Sequence, residues 1–111
     1  RITAPIVLPR ITAAETNYIA FNIVSTDYHI ELYSYLQEKS GKHSIQDCDT
    51  YIASQTSYNK EKHERIDKYK DHHYQTLPTY IRNAIDHPDS GRTYTKDELR
   101  LSIELLIKLC K

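Results

Sequence analysis

Apolar residues recur at helical spacing along most of the chain, and polar residues mark where several helices should begin. A Ser or Thr followed three residues later by Glu or Asp, the spacing of a capping box, occurs at Thr12–Glu15, Ser44–Asp47 and Thr95–Glu98. The last is the strongest start signal, because a broad apolar stripe runs behind it from Leu99 to Cys110. A stripe of that width is typical of the central helix of a bundle.

Two more helices are predicted between these start signals. A Ser-Thr-Asp run before Tyr28 can cap a helix that ends near Gly41. The segment 77–87 (LPTYIRNAIDH) has a proline suited to a first helical turn and one apolar stripe, and Pro88 prevents its continuation. These patterns predict an all-α fold, a compact bundle of four or five helices.

A proline-containing N-terminal stretch and a highly polar central stretch are the remaining parts of the predicted organisation. Residues 1–11 hold two prolines and form an extended lead-in, and residues 12–111 form a single helical domain. Residues 55–75 are highly polar and are interpreted as a solvated helix with loop ends. Because the chain starts at Arg1 without a Met, we expect it to be a fragment of a larger protein.

Composition narrows the class of protein. Fifteen basic and fifteen acidic residues cancel, which excludes binding to nucleic acid through bulk positive charge but not through a local patch. No apolar run approaches the roughly 20 residues of a membrane span, and no signal peptide opens the chain, so we expect a cytoplasmic protein with no membrane partner. Among ten Tyr, core packing of Tyr18, Tyr28 and Tyr35 is favoured over stacking on RNA bases.

The sequence gives little support for a metal site or for a catalytic nucleophile. Cys48 and Cys110 lie on apolar stripes and are predicted core residues. His72–His73 point about 100° apart on a helix, and His63 and Asp67, one turn apart, have no third ligand at a suitable spacing. We therefore predict no metal site and no cofactor.

One short segment combines residue types suited to RNA chemistry. Arg82 and His87 lie near the end of a short predicted helix, which Pro88 terminates. RNA is cut without a metal ion when a base helps the 2′-hydroxyl attack the adjacent phosphate and a cation steadies the developing charge. Imidazole, with an ordinary pKa near ~6.5, exchanges that proton, and guanidinium presents a fork of donors to phosphate. In this hypothesis His87 transfers the proton, Arg82 stabilises the phosphate charge, and Asn83 orients either.

The run Arg82-Asn83 followed by His87, on a late helix of a small helical domain, resembles the HEPN superfamily. The signature of that family is Arg, four to six residues, then His, often with a polar residue after the Arg, where Asn83 stands. The resemblance implies a helical bundle whose dimerisation brings two motifs together in a cleft. It also implies a metal-independent endoribonuclease, or an RNA-contacting module, of a toxin–antitoxin or anti-phage system.

A second resemblance covers most of residues 12–111. The phrases DYHIELYSYLQEK and TLPTYIRNAIDHP are similar to the C-terminal region of bacterial defence-associated AAA/ABC-type ATPases, whose nucleotide site lies in an upstream domain. This resemblance implies the same fold but a non-catalytic interaction or dimerisation module of such an ATPase. The chain has no Walker motif, so ATP binding is not expected.

A purely structural interpretation also stays open. Arg82 can pair with Asp86 one turn later, while His87 closes a helix end where a cation is favourable. The pattern of Arg, four to six residues, then His also occurs at Arg65 and His72, without the following Asn or the apolar flanks. An enzyme should present Arg82 and His87 in an exposed cleft, whereas an interaction module should bury them or commit Arg82 to an internal carboxylate.

The RNA hypothesis further predicts a symmetric homodimer. Transesterification needs an acid for the leaving oxygen as well as a base, and the partner's His87 can supply it across a two-fold axis. We expect residues 88–94 at or beside that interface, with Tyr80 or Tyr94 as an aromatic anchor.

Overall fold

The computed structural model describes residues 6–111, with Tyr69 described by its backbone alone. In this part of the chain, six α-helices and one antiparallel pair of strands follow each other along the sequence. The helices are α1 (Ala13–Phe21), α2 (Thr26–Ser40), α3 (Ile45–Ser54), α4 (Lys60–His63), α5 (Leu77–Asp86) and α6 (Lys96–Cys110), and the strands are β1 (Glu64–Tyr69) and β2 (His72–Thr76). A short 3-10 turn, Pro88–Ser90, follows α5.

The all-α prediction is wrong because residues 64–76 form a β-hairpin rather than a solvated helix. Asp67 pairs with Tyr74 and Lys68 with His73, and a two-residue turn follows in which Lys70 takes a left-handed φ of 55°. Asp67 and Tyr74 face inward and are buried, while Lys68 and His73 face outward. The inward face of β1 carries a carboxylate instead of an aliphatic residue, so hydrophobic periodicity gives no strand signal there.

Most of the predicted helix starts are confirmed by side-chain caps. The Thr95 hydroxyl accepts from the backbone N–H of Glu98 at 3.0 Å, and the Glu98 carboxylate accepts from the N–H of Thr95 at 2.8 Å, which makes a complete capping box. Thr12 caps α1, but the Glu15 carboxylate accepts instead from the N–H groups of Val7 and Leu8. The described part of the lead-in, residues 6–11, is thereby fixed to α1.

The core lies between α2, α5 and α6, and α3 contributes Ile52 to it. Helices α2 and α6 run in the same direction, since contacts extend from His29–Ser102 near their starts to Lys39–Cys110 near their ends. The apolar stripe predicted for α6 is confirmed, and its buried members pack against α2 and α5. The fully buried aliphatic residues of this core are Leu32, Leu36, Ile52, Ile81, Ile103 and Leu106.

The predicted core positions of Cys48 and Cys110 are also confirmed. Both thiols are buried and free of disulfides, and burial raises the pKa of Cys48 to about 11 and that of Cys110 to about 12. Tyr28 is buried as expected, and Tyr18 and Tyr35 pack against the core while partly exposed. A thiol that holds its proton at neutral pH is inert as a nucleophile.

A buried carboxylate on α3 fixes the start of α5. Asp49 accepts from the N–H of Gln75 at 2.9 Å, and from the N–H and hydroxyl of Thr76 at 3.0 and 2.6 Å. Thr76 is in turn the N-cap of α5. The position of this helix, whose other end carries Arg82 and His87, therefore depends on Asp49.

No helix among the described residues is long and apolar enough to cross a membrane.

Candidate functional site

The C-terminal half of α5 carries the predicted site. Thr76 caps the helix and Pro78 occupies its first turn, where a missing backbone donor costs nothing. The helix ends at Asp86, and His87 is its C-cap because Pro88 cannot continue it. Arg82 and Asp86 consequently lie one turn apart on the same face.

Asp86 brings the two reactive side chains together. Its Oδ2 atom lies 3.6 Å from Nη2 of Arg82 and 3.5 Å from Nε2 of His87. The guanidinium and the imidazole therefore both lie close to one oxygen atom. The side chains are open to solvent, with 28% of Arg82, 46% of His87 and 53% of Asp86 exposed.

Asn83 supports this arrangement from the buried side of α5. Its Oδ1 atom accepts from Nη1 of Arg82 at 3.0 Å, and its Nδ2 donates to Oδ2 of Asp67 at 3.4 Å. The same Asp67 oxygen accepts from Nε of Arg92 at 3.0 Å. One guanidinium edge is thus held in place while the opposite edge faces Asp86 and solvent.

The buried pair Asp67–Arg92 is the part of the site that the sequence did not reveal. Both side chains are about nine-tenths buried and come from β1 and the loop before α6. The pair could not be recognised from the sequence because Asp67 lies in the stretch interpreted as a solvated helix. In a strand, Asp67 faces α5 and reaches Asn83 directly.

Arg82 and Asp86 also line a groove of about 290 Å³ between α2 and α5. The remaining walls are apolar and polar side chains of both helices and the following proline: Ile30, Tyr33, Ser34, Gln37, Ile85 and Pro88. Arg82 is committed to a carboxylate that is half exposed, not internal. His87 is exposed but is not among the residues that line this groove, so of the two residues expected in a cleft only Arg82 lines it.

The second Arg…His pair of the sequence has a different role. Arg65 binds the Glu98 carboxylate at 2.6 Å and lies 4.1 Å over the ring of Tyr80, while its second nitrogen donates to Thr93. The Tyr80 hydroxyl also donates to the Thr93 carbonyl at 3.0 Å. Tyr80 is buried by these contacts and is not available as an interface anchor, whereas Tyr94 is partly exposed.

His63 and Asp67 do not lie one turn apart on a helix, as their spacing suggested. Helix α4 ends at His63, and Asp67 lies in the following strand. Nδ1 of His63 accepts from the backbone N–H of Asn59 at 2.8 Å, and Asp67 binds Arg92. Within residues 6–111, no three His, Cys, Asp or Glu side chains are grouped so that they could hold a metal ion.

Comparisons with protein-family models, with curated proteins and with solved structures give no match for this chain. The likeness to HEPN domains and to ATPase C-terminal regions therefore rests on the sequence phrases that suggested it. Any functional conclusion depends on the geometry around Arg82, Asp86 and His87.

Proposed function

We propose that this chain is a HEPN-like domain that binds RNA and cleaves it without a metal ion, in the cytoplasm, as part of an anti-phage or toxin–antitoxin system. The observation that supports this most is the joint approach of the Arg82 guanidinium and the His87 imidazole to one Asp86 oxygen, beside an open groove. A base and a phosphate-binding cation close to each other are what 2′-hydroxyl attack requires.

The proposed reaction is a transesterification. A ring nitrogen of His87 removes the 2′-hydroxyl proton, the 2′-oxygen bonds to phosphorus, and the bond to the 5′-oxygen breaks. The leaving oxygen takes a proton from the partner's His87, which leaves a 2′,3′-cyclic phosphate and a 5′-hydroxyl. Arg82 donates to the non-bridging phosphate oxygens, where negative charge grows.

Asp86 is compatible with this chemistry because its pair with Arg82 is solvent-exposed. Exposed ion pairs are worth about 0.2–1 kcal/mol, so a phosphate can replace the carboxylate on the guanidinium. Asp86 then stays beside His87, where a carboxylate stabilises the imidazolium that forms during proton transfer. The partly buried contact with Asn83 keeps Arg82 positioned during the exchange.

Cleavage of RNA in the presence of EDTA tests the reaction type. We expect single-stranded RNA to be cut with EDTA present, into fragments that end in a 2′,3′-cyclic phosphate. An oligonucleotide with 2′-deoxyribose throughout should stay intact, because it lacks the nucleophile. Activity that appears only with added metal, or cleavage of the deoxy control, would overturn the proposed mechanism.

The same mechanism predicts a homodimer in solution. A two-fold interface beside residues 88–94 would supply the second His87, and a specific interface of this kind buries at least about 1,000 Å² in total. Light scattering across a dilution series should give twice the 13.0 kDa chain mass at high concentration. A chain that stays monomeric throughout would have half a site and could not follow this reaction.

The second candidate function is a non-catalytic interaction or dimerisation module attached to an ATPase domain. It is favoured by large apolar side chains at the surface, where Ile11 is 80% and Phe21 is 69% exposed. Ile11 precedes α1 and Phe21 ends it, and exposed apolar side chains are typical of contact surfaces where they form a contiguous patch. A dimer that binds no RNA and cleaves none would support this function over the first.

A further inference from the structure

A second groove, of about 240 Å³, lies between α4 and α6 and plays no part in the proposed RNA chemistry. It combines two lysines and a histidine with small polar groups and one carboxylate. Its polar lining consists of Ser57, Asn59, Lys62, His63, Glu104 and Lys108. The groove draws on the loop before α4, on α4 itself and on the second half of α6.

The His63 ring offers a hydrogen-bond donor in the wall of this groove, and the donor atom itself is not among the fully buried ones. The residue is only 7% exposed, and Nδ1 accepts from the backbone N–H of Asn59 at 2.8 Å. A neutral imidazole whose Nδ1 accepts carries its proton on Nε2. Within the described part of the chain, this Nε2–H has no hydrogen-bond partner, although Tyr58 packs against the ring at 5.7 Å.

Positive charge surrounds this donor. Burial lowers the pKa of His63, and the charges of Lys62 and Lys108 lower it further. The two lysine side chains are exposed, and neither has a carboxylate within 4 Å among residues 6–111. Two ammonium groups, one carboxylate and a neutral donor thus share one cavity, and neither ammonium group is ion-paired within the described residues.

We infer that this groove binds a phosphate group, held by the Lys62 and Lys108 ammonium groups and the Nε2–H of His63. The two lysine charges outweigh the single opposing charge of Glu104 and attract a phosphate anion, and the single donor of His63 can bond one of its oxygens. The acceptor nitrogen of His63 is already used by Asn59, so the ring offers a cation nothing. Glu104 is the one charge in the groove that opposes an anion, and the site is independent of the proposed nuclease activity.

Titration with inorganic phosphate, followed by NMR at pH 7, tests the site. The His63 ring signals should shift and saturate, and Lys62→Gln and Lys108→Gln should each weaken binding by about tenfold, the effect of losing one charge-assisted contact. Lys60→Gln is the matched control, because Lys60 is on the same short helix, is 78% exposed and pairs with Glu64 outside the groove. This control should bind phosphate as wild type does.

Two further binding measurements test whether the groove prefers an anion and identify the source of the phosphate. Glu104→Gln should tighten phosphate binding, because it removes the opposing charge. A 5′-phosphorylated dinucleotide that binds more tightly than inorganic phosphate, while its unphosphorylated form does not bind, would indicate a nucleotide end; equal affinity would indicate a free phosphate. Absence of a saturable shift, an equal loss in Lys60→Gln, or weaker binding in Glu104→Gln would each overturn the inference.

Discussion

Replacing His87 with alanine is expected to lower the rate of RNA cleavage in EDTA by about 10²–10⁴-fold, the usual contribution of a general acid–base group. The His87 ring is nearly half exposed and lies 3.5 Å from Asp86 at the end of α5. Its removal therefore takes away the proton carrier and no part of the core. In the proposed dimer one substitution removes both the base and the acid, which places the expected loss toward the upper end of this range.

The matched control for this prediction is His73→Ala. His73 is also exposed, but it lies on the outward face of β2, opposite Lys68. Both variants should keep the melting temperature of the wild-type chain to within a few degrees, because surface substitutions usually change stability by less than about 0.5 kcal/mol. Wild-type cleavage rates in His87→Ala, or an equal loss in His73→Ala, would remove His87 from the mechanism.

The helical part of the fold could be predicted because its signals are local. A cap needs only a hydroxyl three residues before the N–H it accepts from, and the α6 stripe needs only its own spacing. Thr95 and Leu99 accordingly behave as the sequence indicates. The hairpin could not be predicted in this way, because what buries Asp67 is Arg92, twenty-five residues later.

The candidate site also has a part that local sequence predicts and a part that depends on contacts between distant residues. Arg82, Asp86 and His87 are close in sequence, so helical geometry alone places Arg82 beside Asp86. The groove formed with α2 and the contact from Asn83 to Asp67 depend on tertiary packing. Sequence spacing therefore found Arg82, His87 and the buried Asn83. It missed Asp67 and Arg92, which contact Asn83 only through tertiary packing.

The position of α5 gives the largest predicted effect on stability. Asp49 is fully buried and accepts three hydrogen bonds, from the backbone of Gln75 and from both donors of Thr76. Truncating it removes all three of these hydrogen bonds and leaves the buried N–H of Thr76 without this acceptor, and a buried unsatisfied donor costs about 1–3 kcal/mol. The Thr76 hydroxyl keeps Thr79 as an acceptor at 3.1 Å. Hydrogen bonds to a charged acceptor are at the strong end of the range.

We therefore expect Asp49→Ala to lower the free energy of unfolding by about 3–5 kcal/mol, a large share of the roughly 5–15 kcal/mol that stabilises a domain. Thermal unfolding followed by circular dichroism should show a melting temperature lower by more than about 10 °C. The control is Asp47→Ala, two residues earlier on α3, whose exposed carboxylate lies in the first helical turn and should contribute only about 0.3–1 kcal/mol. Asp49→Asn, which keeps one acceptor oxygen, should fall between the two. Equal melting temperatures for Asp49→Ala and Asp47→Ala would mean that α5 is fixed by its apolar contacts with α6 rather than by this carboxylate.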